Sequence, residues 1–117
     1  MKFLQMVKSR ENQGNPPQAL FDAMGKYMEE FAATGRLVST GGLLPTSAGA
    51  TVRASGGQII VSDGPFAEAT EVIGGYAIVE YDSLEDAVAG AKDFIQLHVD
   101  HWPGWEGESE IRQIADF

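Results

Sequence analysis

Residues 74 to 82, GGYAIVEYD, alternate as a β-strand yet are apolar on both faces, with Tyr76 and Ile78 on one side and Ala77, Val79 and Tyr81 on the other. Such a strand belongs inside a sheet and needs a cover on each side. The opening strand, residues 2 to 8, makes the same demand through Phe3, Leu4, Met6 and Val7. Covers for one side are legible nearby. Leu20, Met24, Tyr27, Met28 and Phe31 fall at helical spacing, and Leu84, Ala87, Val88, Ala91 and Ile95 form a second stripe. Ser83 opens that second helix with a capping-box pattern in which Asp86 replaces the usual Glu or Gln. Asn15, ahead of Pro16-Pro17 and three residues before Gln18, is expected to cap the first helix, and Gly35 to end it in a left-handed conformation.

Between the helices, residues 36 to 45 read as a short strand that Gly41-Gly42 interrupts. TVRAS and QIIVS flank Gly56-Gly57, a two-residue connection suited to a tight hairpin; Val52 and Ala54 alternate with Thr51, Arg53 and Ser55, so one face of that arm is expected to be wet. EIRQIADF, residues 110 to 117, reads as a closing strand. The order is strand, helix, strand, hairpin, strand, helix, strand. It implies an α+β fold: a ferredoxin-like antiparallel sheet with two helices on one face and a β-hairpin insertion. The other face then lacks a cover, and a two-fold partner is the simplest one, so a homodimer with its sheets face to face is expected.

Composition narrows the function. The 117 residues suit one domain, 1 to 117. A formal charge of -9, from 8 Lys and Arg against 17 Asp and Glu, repels polyanions, and the cations are scattered, so neither nucleic acid nor an anionic membrane is an expected partner. Cysteine is absent, which excludes disulfides and thiolate chemistry and suits a reducing cytosol. MKFLQMVK is too short an apolar run for a signal peptide or a spanning helix, and a cytoplasmic location is expected. No phosphate-loop lysine or dinucleotide glycine spacing is present, and no cofactor is expected.

The residues that carry chemistry cluster around the turn Asp63-Gly64-Pro65-Phe66. An aspartate opening a Gly-Pro turn ordinarily accepts backbone hydrogen bonds, but Pro65 has no N–H, which leaves acceptor capacity and makes Asp63 a candidate catalytic acid/base. Phe66 walls a pocket or anchors the turn in the core. Glu68 and Glu71, three apart, are a candidate carboxylate pair or the acids of a solvated turn. Gly74-Gly75 admits a ligand or a strand bulge. Tyr76 and Trp102, the latter grouped with Trp105 around Pro103-Gly104, suit the rim of a cleft or a dimer contact, and Arg53 suits an anionic ligand or a salt bridge. His98 falls near the end of the second helix, where a protonated ring complements the helix dipole, and an Asp63–His98 pair is conceivable for general acid/base work. His98, Asp100 and His101 lack a further spaced ligand, and no metal site is expected.

The stretch SDGPFAEATEVIGGYAIVEYDSLEDA, residues 62 to 87, together with EIRQI, residues 110 to 114, resembles the YCII-related family, in particular its DGPF-domain subgroup. The resemblance runs over nearly the whole chain. It implies a dimeric α+β barrel, and its pattern falls on Asp63, Gly64, Pro65 and Phe66, on Glu68, Glu71, Gly74, Gly75 and Tyr76, and on Glu110 and Arg112. Thr70 stands where such relatives commonly have lysine, and Gln113 where they often have proline. Implied activity is thin: suspected enzymatic roles, with some members associated with extracytoplasmic-function sigma factors. Two functions are therefore expected to compete. One is a small-molecule site near the DGPF turn, served as a cofactor-free enzyme by Asp63; the other is a non-catalytic ligand-sensing or interaction domain.

Overall fold

The structure is a computed structural model, and it describes residues 1 to 66 and 71 to 116. In chain order the elements are β1 (Lys2–Ser9), α1 (Gln18–Ala33), β2 (Leu37–Gly42), a 3-10 turn (Thr46–Ala48), β3 (Ala50–Ser55), β4 (Gln58–Asp63), β5 (Val72–Glu80), α2 (Leu84–His101) and β6 (Gly107–Gln113). Four strands form one antiparallel sheet in the order β2-β5-β1-β6, and β3-β4 is a separate two-stranded ribbon. This is the α+β, ferredoxin-like arrangement with its hairpin insertion, as the alternation of stripes and strands requires.

The two doubly apolar strands are the central ones. Phe3 pairs with Val79, and both are almost fully buried under Ala87 of α2, with Phe31, Leu37, Tyr81 and Ile111 around them. Ala87 and Ala91 are small enough for α2 to close on the sheet, and Gln5 Nε2 donates to the Ala87 carbonyl at 3.1 Å. Because this buried stripe runs through Ala87, Ala91 and His98, Leu84 and Val88 fall on its exposed flank, unlike the expectation that they would be part of it. The helices meet through Tyr27 and Phe94, ring centroids 5.6 Å apart, with the Tyr27 hydroxyl donating to the Gly90 carbonyl at 3.3 Å. Burial and the nearby Tyr81 and Asp93 push the Tyr27 phenol up to about 12, so it stays a donor. Leu4, Met6, Tyr76 and Ile78 lie half-buried on the opposite face, edged by Lys8, whose ammonium sits 3.2 Å from Glu110 and 3.6 Å from Glu108. Among the described residues no helix covers that face.

Local details depart from the sequence reading in three places and agree with it in others. The N-cap of α1 is Pro17, without a side-chain bond, because the two prolines carry extended backbone past Asn15. Ser83 does cap α2, accepting from the Asp86 amide at 3.1 Å. β2 runs straight through Gly41-Gly42, since Gly41 leaves room for the ring of its partner Tyr76; a Cβ there would come within 3.0 Å of it. β6 begins at Gly107 and stops at Gln113, opposite Phe3, with one last bond from the Ile114 amide to the Lys2 carbonyl at 2.9 Å. Gly74 is skipped in the β1–β5 register, the bulge that a glycine pair at a strand entrance allows. Gly35, Gly56 and Gly57 all have positive φ, as helix end and hairpin turn demand.

The hairpin departs furthest. Both its faces are exposed, including Val52 at 71%, Ile59 at 75% and Val61 at 66%, because the ribbon projects from the body. The radius of gyration, 15.9 Å, exceeds the roughly 13 Å of a compact chain this long.

Candidate functional site

On the helix side of the sheet, α1 does not close fully onto the strands. A cleft of about 870 Å³ opens between them. The stripe Leu20, Met24, Tyr27, Met28 and Phe31 forms one wall, and Val7, Ala77 and Val79 part of the floor. Phe94, His98, Trp102 and Trp105 border it from α2 and the turn beyond. Polar groups enter where β1 runs out into the following loop, at Ser9, Arg10, Glu11 and Asn12. Apolar walls with a few convergent polar groups are the ordinary composition of a small-molecule site, and this volume is within its usual range.

His98 is the titratable group best placed in this cleft. It is only 6% exposed. Its Nδ1 lies 3.1 Å from the Phe94 carbonyl one helical turn back, so Nδ1 carries the proton and donates, and Nε2 is left as an acceptor. Among the described residues no protein group bonds Nε2, and no buried side-chain nitrogen or oxygen lacks a partner, so Nε2 opens on the cleft. The ring is pinned by Phe94, edge-on at 5.2 Å, and by Trp105 at 4.5 Å, and Trp105 stacks with Trp102 at 6.2 Å. Trp105 is seated in turn because Gly107 leaves it space; a Cβ at Gly107 would overlap the indole and approach the Lys8 carbonyl to 2.8 Å. Burial lowers the His98 pKa from its ordinary value, partly offset by the bond to Phe94, so the ring is neutral at pH 7. Burial thus works against the protonated form that a place near the helix end would suit. The Nδ1 partner is a backbone carbonyl rather than the carboxylate of Asp63.

The DGPF turn is fastened elsewhere. The Gly64 amide donates to the Gly49 carbonyl at 2.8 Å, and the Phe66 amide donates to Thr46 Oγ1 at 3.2 Å. Thr46, buried, is itself held by Glu11: its amide donates to Oε2 at 2.8 Å and its hydroxyl to Oε1 at 2.5 Å. These two bonds keep the Glu11 carboxyl below its ordinary pKa, the hydroxyl contributing most. The Gly64–Pro65 peptide is cis, and Gly64 lies directly against the Thr46 carbonyl. The turn, the 3-10 segment and the loop after β1 thus form one clasp at the root of the hairpin.

The residues expected from sequence divide accordingly. His98 and Trp102 border the cleft; Tyr76 reaches its edge at β5, but its side chain belongs to the opposite face of the sheet, where the ring lies across Gly41. Phe66 is half-buried, contacts Gly49 and is not among the residues that line the cleft, whereas Pro65 is. Asp63 ends β4 exposed, paired in register with Ala50, outside the cleft lining; Arg53 is exposed farther out on the ribbon. Glu71 borders a separate small hollow with Arg10, Glu106 and Glu108, and Glu68 lies outside the described residues. Among the described residues no group of three or more His, Asp or Glu is placed to hold a metal ion, and no helix is long and apolar enough to cross a membrane. Sequence reasoning missed Glu11, Thr46 and Arg10. A bond between residues 35 apart in two loops has no spacing signature.

Known proteins give the chain a family and are silent on its chemistry. A sequence model of the YCII-related domain matches residues 1–96, which spans β1 through most of α2. An uncharacterized protein of Rhizobium meliloti (strain 1021) is 34% identical over 107 residues, 92% of this chain and 79% of that protein. The domain match covers well over half of the chain, leaving β6 outside it, and the relative is more than 30% identical over most of both proteins; the chain belongs to the YCII-related domain family.

Proposed function

We propose that the protein binds a small, mostly apolar organic molecule in the cleft beside α1, with His98 Nε2 as the acceptor that orients it or exchanges a proton with it. The observation that carries this reading is a buried imidazole with one nitrogen fixed by backbone and the other facing an apolar cleft. It assigns the acid/base role to His98 rather than Asp63, leaving the DGPF turn as the clasp that holds the loops bordering the cleft. The DGPF signature Asp63 to Phe66 supports placing the chain in that subgroup, and the lack of cysteine supports a cytosolic setting. Tryptophan fluorescence tests the binding, since both tryptophans of the chain border the cleft. A phenol or amide probe is expected to quench it, and His98→Gln to weaken that binding about tenfold, the worth of a partly buried hydrogen bond. Unchanged affinity in the variant would remove His98 from the site.

The histidine reading also fixes a pH dependence. With the folded pKa below the unfolded value of 6.5, the unfolded chain takes up a proton first, so the stability associated with neutral His98 is complete above pH 6.5 and declines as pH falls through 6.5 toward the folded pKa. Imidazole NMR is expected to show His98 titrating below 6.5 and on its Nδ1–H tautomer; a pKa above 6.5 would contradict the placement.

A second reading concerns assembly. We propose a homodimer whose sheets pack face to face, because Leu4, Met6, Tyr76 and Ile78 have no helix over them. The apolar hairpin face of Val52, Ile59 and Val61 supports it, since a two-stranded ribbon alone is marginal in water. Light scattering at micromolar concentration is expected to give twice the 12.6 kDa chain mass. A monomeric mass would overturn the dimer and favour an interaction domain whose hairpin meets another protein.

A further inference from the structure

Resting on the cleft reading above, we propose that the ligand is a small organic carboxylate whose apolar or aromatic body lies between α1 and the sheet and whose carboxylate is held by Arg10. Charge in the cleft is sparse: among the residues that line it, Arg10 is the one cation and Glu11 the one acid. Glu11 is spent, because Thr46 occupies both its oxygens. Glu11 keeps its negative charge, but its oxygens are held by Thr46, which leaves Arg10 as the charged group of the cleft lining that no ion pair among the described residues engages.

Position supports the same assignment. Arg10 follows directly on Ser9, which pairs with Gly107 of β6 and Val72 of β5 at the end of β1. The Trp105 indole fills the space beside Gly107, the residue that Ser9 pairs with, and its ring is 4.5 Å from His98. Arg10, Trp105 and His98 thus all border the cleft, while the Met24, Met28 and Phe31 wall runs along α1. A planar guanidinium matches a carboxylate through two parallel N–H donors, a geometry that a neutral headgroup does not use. His98 Nε2, an acceptor, then meets a hydroxyl or N–H on the ligand body rather than the carboxylate. Glu71, Glu106 and Glu108, which share the neighbouring hollow with Arg10, are the protein's own competitors for it. Ion pairs among the described residues engage Lys8 and Arg112, and none of them includes Arg10.

Two probes with one body, 4-phenylbutyrate and 4-phenylbutan-1-ol, separate this inference from the cleft reading. Titrations followed by tryptophan fluorescence at about 0.15 M salt are expected to show the carboxylate binding about tenfold tighter than the alcohol, as a charge-assisted pair contributes. In Arg10→Gln, an exposed position whose loss leaves the core untouched, the two affinities are expected to converge through weakening of the carboxylate alone; Arg10→Lys retains part of the preference. Equal binding of both probes to the wild type, or a preference that survives Arg10→Gln, overturns the carboxylate assignment and leaves the cleft standing. Failure of both probes to bind at millimolar concentration overturns the two readings together.

Discussion

Replacing Gly64 by alanine is expected to destabilise the protein by about 3 kcal/mol or more, at the upper end of overpacking costs. A methyl at that position would overlap the Thr46 carbonyl, reaching its carbon at 2.5 Å and the Ser47 amide nitrogen at 3.2 Å. The obstacle is backbone, pinned by Glu11 on one side and bonded to the turn on the other, so no side-chain rotation relieves it. The melting temperature is expected to fall by about 12 °C or more for a chain of this length. Should the hairpin root detach while the four-stranded sheet survives, the loss shows instead as faster hydrogen exchange at the Gly64 and Phe66 amides. A variant that keeps both the wild-type melting temperature and that protection would show that the turn does not press on Thr46.

Thr46→Val is expected to cost about 2 kcal/mol, because valine keeps the shape and removes the hydroxyl that serves two bonds at a buried position. The Phe66 amide loses its acceptor and Glu11 loses its shortest donor. A drop of about 8 °C in melting temperature at pH 7 checks it, and a drop under about 2 °C would contradict it. The pH dependence has a definite sign. Glu11 has a folded pKa below its ordinary 4.5, so its contribution is present above pH 4.5 and is lost as pH falls through the folded value. The gap between wild type and Thr46→Val is therefore expected to narrow below pH 4.5. Glu11→Gln is expected to flatten that acid limb; an unchanged acid limb would separate Glu11 from the clasp.

The fold was legible where a residue pattern leaves a single physical outcome. Strands apolar on both faces, such as the one through Tyr76 and Tyr81, must be central and covered, and two helical stripes supply covers for one side. The cleft was not legible, because Leu20, Met24 and Phe31 have the same spacing whether they seal against a sheet or wall an opening above it. His98 was singled out for its place near a helix end, yet its burial and neutrality come from Phe94 and from Trp105 across a turn, which spacing within α2 does not reveal. The signature Asp63 to Phe66 drew attention to a carboxylate, whereas the backbone groups of Gly64 and Phe66 make the contacts. Gly41-Gly42 read as a break because the Tyr76 ring that fills the space lies on another strand.

Mapping a bound probe onto the protein tests the central claim most directly, namely that the ligand site is the cleft at His98 and that the DGPF turn is its structural clasp. In nitrogen-15 NMR spectra titrated with 4-phenylbutyrate, the expected result is that the largest shifts fall on the His98 imidazole, the indole N–H groups of Trp102 and Trp105, and the amides around Met28 and Phe31, with Asp63 and Arg53 unmoved. Shifts confined to Asp63 and the hairpin root, with His98 and both indoles unchanged, would contradict the account and return the carboxylate of Asp63 to the centre of the function.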